Sequence, residues 1–291
     1  MDIDYIKKTK KAMKQCKSCL RQLMTLFDFY KGWGVCKECA RAARRVPKDK
    51  ESKLNETYFD SIDTEEKAYW LGFLITDGNV SNGYIQINLQ ERDKMHLEKF
   101  RTAIAAQANV KTYINGKYSH AHFGVKSLAM VQKLEQYGIV PQKSLIAKPW
   151  NPPIKLAKHY WRGIIDGDGH VSVNRAKQYM RKGHLQKTTR YRVELWGTQE
   201  MTQGFANFLT TTIDIPLKIS KKVRNIWRIC YEGKIQVTRI LELLYGNARI
   251  ALARKEMEAR RAIEDYKVID SKEPDLQNPA QDYEHEFEPD R

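Results

Sequence analysis

A stretch of thirteen residues occurs twice in this chain, and the repeat constrains the fold more than any other feature. Tyr69-Trp70-Leu71-Gly72-Phe73-Leu74-Ile75-Thr76-Asp77-Gly78-Asn79-Val80-Ser81 returns 91 residues later as Tyr160-Trp161-Arg162-Gly163-Ile164-Ile165-Asp166-Gly167-Asp168-Gly169-His170-Val171-Ser172, identical at seven positions. Each copy is an apolar run with a glycine inside it, closed by Asp-Gly. A glycine within a helix costs about 1 kcal/mol relative to alanine, and here the cost recurs at the same place. Small residues also stand four apart, Gly72 with Thr76 and Gly163 with Gly167, so one face of each helix lacks bulky side chains. Two backbones can then approach closely, as small-x-x-x-small helices do in membranes. No apolar run here approaches the roughly 18 residues that a bilayer span needs. The expected partner of each motif helix is therefore the other one, with Gly72 and Gly163 at their interface.

The terminal aspartates pose an electrostatic problem. A helix C-terminus carries partial negative charge, which disfavours an exposed acid there by about 0.3–1 kcal/mol. Two such acids on packed helices also repel each other. A divalent cation resolves both conflicts, because carboxylates with main-chain carbonyls are the hard oxygen ligands that Mg²⁺ prefers. A plain Asp-Gly turn after a helix accounts for one copy. It does not account for two in a matched repeat on a basic chain.

The net charge is +16, and ten acids stand against three bases from Glu264 onward, so the residues before it carry +23. Such a surplus favours a polyanion, since Lys and Arg release counterions from phosphates. Met1-Asp2-Ile3-Asp4 leads into no signal-peptide core. The reading is a soluble intracellular protein, cytoplasmic and nucleoid-associated, with no membrane attachment.

Four of the five cysteines, Cys16, Cys19, Cys36 and Cys39, form C-x2-C-x16-C-x2-C, within the spacing window of a four-thiolate zinc site. Two residues between thiols let a tight turn offer both sulfurs to one tetrahedral ion. Two unrelated redox pairs are the competing reading. Four thiolates leave no open coordination position, so one structural Zn²⁺ is expected.

Between and after the motifs the pattern alternates. Ile85, Ile87 and Leu89 face one way, and Gln86, Asn88 and Gln90 the other. The expected order is helix, two strands, helix, two strands, helix, run through twice; the helix after the first hairpin is expected over Asp93 to Ala106, with Leu97, Phe100 and Ile104 on one face. The fold class is α+β: two pseudo-symmetric αββαββα halves, preceded by a small zinc module. The division is 1–50 basic zinc module, 51–150 first half, 151–264 second half, and 265–291 an acidic tail expected to be disordered. Residues 46–60 read as a polar linker. The second half carries a basic insertion, Asn174 to Arg190, with strands expected only near 170–176 and 190–197. The closing helix is expected over about 247–264.

Trp70 to Gly78 and Trp161 to Gly169 resemble the two signature motifs of LAGLIDADG homing endonucleases, and the strand and helix order resembles that family's repeat. The likeness covers about 60–262. The run Tyr137-Gly138-Ile139-Val140-Pro141-Gln142-Lys143-Ser144 is similar to the segment closing the first half in many members. The resemblance implies that the two halves form a DNA-straddling saddle, and that a single chain acts as a monomer that hydrolyses one phosphodiester per strand and leaves short 3′ overhangs. It makes Asp77 and Asp168 catalytic, each holding Mg²⁺ (two or more ions in all) with the main-chain carbonyls of Thr76 and Gly167. The earlier acid of the motif is Asp166 in the second copy but Ile75 in the first, so Asp166 gains no role from the likeness. Gln90 corresponds to a water-positioning glutamine, and its counterpart is open between Thr198 and Gln199. Lys126 and Lys234, at matching ends of the second hairpins, are candidate active-site lysines or plain surface charge.

A two-stranded ribbon fits the major groove, where Arg suits guanine and Gln or Asn suits adenine. The candidates are Gln86, Asn88 and Gln90 in one half and Arg190, Arg192 and Glu194 in the other. Arg175, Lys177, Arg181 and Lys182 in the insertion are placed to track phosphates. The expected function is a site-specific double-strand DNA endonuclease that mobilises its own intron or intein, with a long asymmetric duplex target. An RNA maturase binding intron RNA, or a cleavage-inactive DNA-binding regulator of the same fold, are the other readings.

Overall fold

A computed structural model describes residues 13–24, 34–39, 54–179 and 185–270. Thr64 caps the first motif helix, α1 (Glu65–Asp77), its hydroxyl accepting from Lys67 N at 3.2 Å. The second motif helix, α4 (Ile154–Asp168), starts after two prolines. Residues 68–75 of α1 are buried without a break, as befits a helix covered on all sides.

The glycines explain how closely the two helices pack. A Cβ built on Gly72 would lie 2.0 Å from Tyr160 O, and one on Gly163 would lie 2.1 Å from Tyr69 O. The two contacts are equivalent under the repeat, one made by the glycine of each helix. A Cβ on Gly167 would meet Thr76 Oγ1 at 1.9 Å. Thr76 and Gly167 are the same motif position, so this pair sits on the pseudo-twofold axis and faces its own repeat.

Each half wraps a four-stranded antiparallel sheet around its helix. In the first, β3 (Gly78–Ser81), β4 (Tyr84–Gln90), β5 (Lys111–Asn115) and β6 (Tyr118–Lys126) take the order β3-β4-β6-β5. In the second, β7 (Gly169–Tyr179), β8 (Leu185–Gly197), β9 (Lys221–Val223) and β10 (Ile226–Glu232) take the equivalent order β7-β8-β10-β9. Helices α2 (Lys94–Ala103) and α3 (Leu128–Gln136) back the first sheet; α5 (Gln199–Ile213), α6 (Lys234–Tyr245) and α7 (Ala253–Asp270) back the second. One continuous core of buried side chains joins both halves. Near the N-terminus, β1 (Met13–Gln15) and β2 (Gln22–Met24) form a small ribbon.

Four sequence expectations need correction. The linker stops short of 60, because Tyr58 and Phe59 are buried and Phe59 lies 6.5 Å from the Phe100 ring; residues 46–53 are outside the described part. The basic insertion is not a separate loop, since β7 and β8 stay paired out to Tyr179↔Leu185. Helix α2 ends before 106 because Ala105 takes a left-handed φ of 52°. Helix α7 begins later than 247, since Ile250, Ala251 and Leu252 dip into the core first, and it continues past 264 to Asp270. The remainder of the acidic tail, 271–291, is outside the described residues. Among the described residues, no helix is long and apolar enough to cross a membrane.

Candidate active site and nucleic-acid face

The contact at Gly72 and Gly163 fixes where the two motif helices end. Asp77 closes α1 and Asp168 closes α4, and each is followed by a glycine whose N–H returns to the helix, Gly78 to Leu74 O and Gly169 to Ile165 O. A Cβ on either glycine would lie 2.6 Å from that carbonyl, so Asp-Gly is required here for close approach. Burial pushes the Asp77 carboxyl up to about 7, and the negative charge of Asp168 adds to the shift. Burial also raises Asp168. Lys143 and Lys255 pull both the other way.

Those two lysines are the residues that sequence reasoning missed. Lys255 Nζ donates to Ile165 O at 2.7 Å, Asp166 O at 2.7 Å, Gly167 O at 3.1 Å and Gly169 O at 2.6 Å. Lys143 Nζ bonds Gly78 O and stands 3.4 Å from Thr76 O. Both are buried, and burial lowers both ammonium groups, Lys255 to about 8. The carbonyls ending each motif helix therefore face a cation already, and the two acids beside them are close enough for the charge of Asp168 to raise Asp77. This donor set of carboxylate and carbonyl oxygens suits a divalent metal.

The lysines chosen from sequence lie elsewhere. Lys126 pairs in register with Tyr84, and its Nζ is 5.6 Å from that ring. Lys234 begins α6, with its Nζ 5.2 Å from the Tyr266 ring. Gly78 is opposite Ile87 and Ser81 opposite Tyr84, so Lys126 is three rows along the sheet from Gly78 and further still from Asp77. Gln90 ends β4 with an exposed side chain. Register also resolves its counterpart: Gly78 faces Ile87 as Gly169 faces Leu195, so Gln90 corresponds to Thr198. Thr198 is buried, caps α5 through Met201 N and donates to Ala147 O at 2.6 Å. The second half has no glutamine at this place.

Asp166 is structural. It is fully buried and accepts from Tyr69 OH at 2.7 Å, Tyr245 OH at 2.7 Å and Leu252 N at 2.6 Å. Tyr69 belongs to the other half, and its hydroxyl also meets His96 Nε2 at 2.9 Å. Arg162, in the place of Leu71, is equally buried. It donates to Ile250 O, Leu244 O and Glu65 Oε1, the last at 2.8 Å across the interface.

The outer face of the first sheet carries Gln86, Asn88 and Gln90, as the alternation predicts. His122 Nδ1 lies 2.9 Å from Asn88 Oδ1, and the Tyr113 and His120 rings stack at 5.4 Å. On the second sheet Arg190 and Arg192 share a face, and Arg192 bonds Glu232. Glu194 is only 8 % exposed and is held by Arg228. Register pairs Arg175 with Thr189 and Lys177 with Lys187, in rows alternating with those of Arg190 and Arg192. Arg181 and Lys182 lie outside the described residues.

The cysteine site is a separate centre. The Sγ atoms of Cys16, Cys19, Cys36 and Cys39 all lie within 4.8 Å of one another. Cys36 N points at Cys16 Sγ (3.2 Å), Cys39 N at Cys36 Sγ (3.4 Å) and Arg21 Nε at Cys19 Sγ (3.3 Å). Donors aimed at sulfur stabilise thiolates, and the cluster fits a four-thiolate zinc module.

No protein-family model matches the chain, and no curated protein matches it. Solved structures do. The LAGLIDADG meganuclease I-CpaMI bound to uncleaved DNA is 14 % identical, with a TM-score of 0.50 over 72 % of this chain and 93 % of that one. The I-LtrWI LAGLIDADG homing endonuclease bound to target DNA is 11 % identical, TM-score 0.50, over 75 % and 92 %. Meganuclease I-SmaMI bound to uncleavable DNA with a TTGT central four is 9 % identical, TM-score 0.50, over 73 % and 91 %. At these identities the likeness establishes the fold: the chain has the LAGLIDADG homing endonuclease fold.

Proposed function

We propose that the protein is a site-specific double-strand DNA endonuclease that works as a single chain on a long asymmetric target. One observation carries the reading: two aspartates end a pair of glycine-packed helices, each backed by a buried lysine, with a polar sheet face on either side. Neighbours of the same fold are known with DNA bound, and the surplus of +16 suits a phosphate backbone. Residues 1–50 act as an accessory zinc module, 51–150 and 151–264 as the two halves, and 265–291 as a tail.

Asp77 with Thr76 O and Asp168 with Gly167 O would hold divalent ions, Mg²⁺ in the cell. Bound there, the ions supply polarisation of the scissile phosphate and a water of lowered pKa. The chain's own groups do the rest. Gln90 orients a water on the first-half side. The oxygen of the attacking water bonds to phosphorus while the bond to the leaving oxygen breaks, one strand per aspartate, leaving short 3′ overhangs. Lys143 and Lys255 oppose the negative charge that grows on the phosphate. The structural asymmetry at Thr198 implies that the second strand's water is oriented by another group.

The test is incubation of the full chain with Mg²⁺ and a randomised duplex pool, with capture of cut ends. An enriched cut sequence is expected. Asp77→Asn and Asp168→Asn should each reduce cutting by about 100-fold or more while leaving duplex binding in place. Binding without cutting under any divalent metal would favour the regulator reading. Preference for a folded RNA over every duplex would favour the maturase.

A further inference from the structure

The two sheets can be laid on each other row by row. Gly78 faces Ile87, which faces Phe123; Gly169 faces Leu195, which faces Ile229. Counting from those rows, Asn88 corresponds to Trp196, His122 to Arg228 and Gln86 to Glu194. The row next to that of Gly78 and Gly169, on the side of each aspartate, therefore carries a His122–Asn88 pair in one half and an Arg228–Trp196 pair in the other.

Arg228 is not loose. Its Nε donates to Glu194 Oε2 at 2.8 Å, and its Nη2 bonds the same oxygen. Its guanidinium carbon lies 5.3 Å from the centre of the Trp196 ring. Glu194 has little water around it, since its side chain is 11 % exposed while that of Arg228 is 33 % exposed. Cys230 bonds the same carboxylate. A guanidinium has five N–H groups in a planar fork. With the Nε–Nη2 edge committed to Glu194 and one face toward Trp196, the Nη1–Nη2 edge is left for a ligand. Two parallel N–H groups on a fixed plane match O6 and N7 of guanine in the major groove.

We propose that Arg228, clamped by Glu194 and Trp196, reads one guanine in the second half-site, and that Glu194 is a positioning residue which contacts no base. This rests on the DNA-reading function above. It also reassigns the acid that the sequence pattern offered as a base contact: Glu194 spends Oε2 on Arg228, and its carboxylate also takes the Cys230 thiol.

The experiment is selection of bound duplexes from a randomised pool by the full chain, followed by binding to the selected duplex and its single-base variants. Unfolding curves confirm that each variant is folded. Wild type is expected to require guanine at one position on the second-half side. Arg228→Gln loses the fork and offers an amide that suits adenine, so guanine preference at that position should fall by about ten-fold or more, with the others unchanged. Glu194→Gln should weaken the same position and no other. Retained guanine preference in Arg228→Gln overturns the proposal. So does a uniform loss across positions, or a Glu194→Gln effect at a different base. If wild type selects no sequence at all, the DNA-reading function itself fails, and this assignment with it.

Discussion

The two halves share a backbone plan and differ in what they do with it. Where α1 has Leu71, Ile75 and Thr76, α4 has Arg162, Asp166 and Gly167. The first helix brings atoms of bulk to the interface. The second brings polar anchors that hold the α6–α7 connection and both tyrosines, Tyr69 and Tyr245. The sheets differ in the same sense, amides and histidines on one face against arginine–glutamate pairs on the other. What stays equal is the part both aspartates need: the glycine contact, the terminal Asp-Gly and one buried lysine apiece. Geometry is kept common, and chemistry is divided.

The axis pair should break this comparison most severely. Gly167→Thr puts a threonine on both sides, and should cost about 3 kcal/mol or more, because the clash includes atoms that cannot rotate away. Adding Thr76→Gly should restore most of the loss by moving the threonine to the other helix. Thermal unfolding of the single and double variants measures it, and an unaltered Gly167→Thr would mean that the axis has slack.

Removing an anchor comes next. Asp166→Ala strands the buried Tyr245 hydroxyl and a backbone N–H and takes one of two partners from the Tyr69 hydroxyl, so a loss of about 3 kcal/mol is expected. Ile75→Val at the matching place should cost about 1 kcal/mol. Equal losses in denaturant titrations would show that the second helix is no more an anchor than the first.

The third effect is a pH slope in the presence of a chelator. Between an ordinary 3.8 and about 7, the folded chain keeps the Asp77 proton that the unfolded chain has released. This group's contribution to stability therefore falls as pH rises through that window. Asp77→Asn should flatten the slope and raise Tm above neutral pH. An identical slope in the variant would show that another group titrates. Smallest is Arg192→Ala, which removes a partly exposed pair with Glu232 and should change stability by less than about 1 kcal/mol.

Much of the common plan could be read from the chain. Period-two alternation located β4 at residues 84–90, and the small residues of the repeat located the helix interface. The site lysines could not be read in the same way. Lys143 lies in an irregular segment and Lys255 in a run of charges, and only the folding of each closing segment back onto a motif helix buries them. The run Tyr137 to Ser144 held a signal for Lys143, because it closes the first half; nothing comparable marks Lys255. Arg228 was hidden because alternation identifies a face without showing which side chains on it are clamped. The β7–β8 extension looked like a loop because a ribbon beyond the core needs no apolar alternation.

Thr76 against Gly167 has a consequence for the ancestry that the repeat implies. A residue on a symmetry axis meets its own copy when two identical halves associate. Two first halves would set threonine against threonine where even one added carbon comes within 1.9 Å of the facing hydroxyl. Two second halves would turn Arg162 toward Leu156, the counterpart of Glu65, and bury a guanidinium without its carboxylate. Neither half can replace the other. Whatever the duplication once allowed, the parts are no longer interchangeable, and the covalent link between them now joins two pieces that fit only each other.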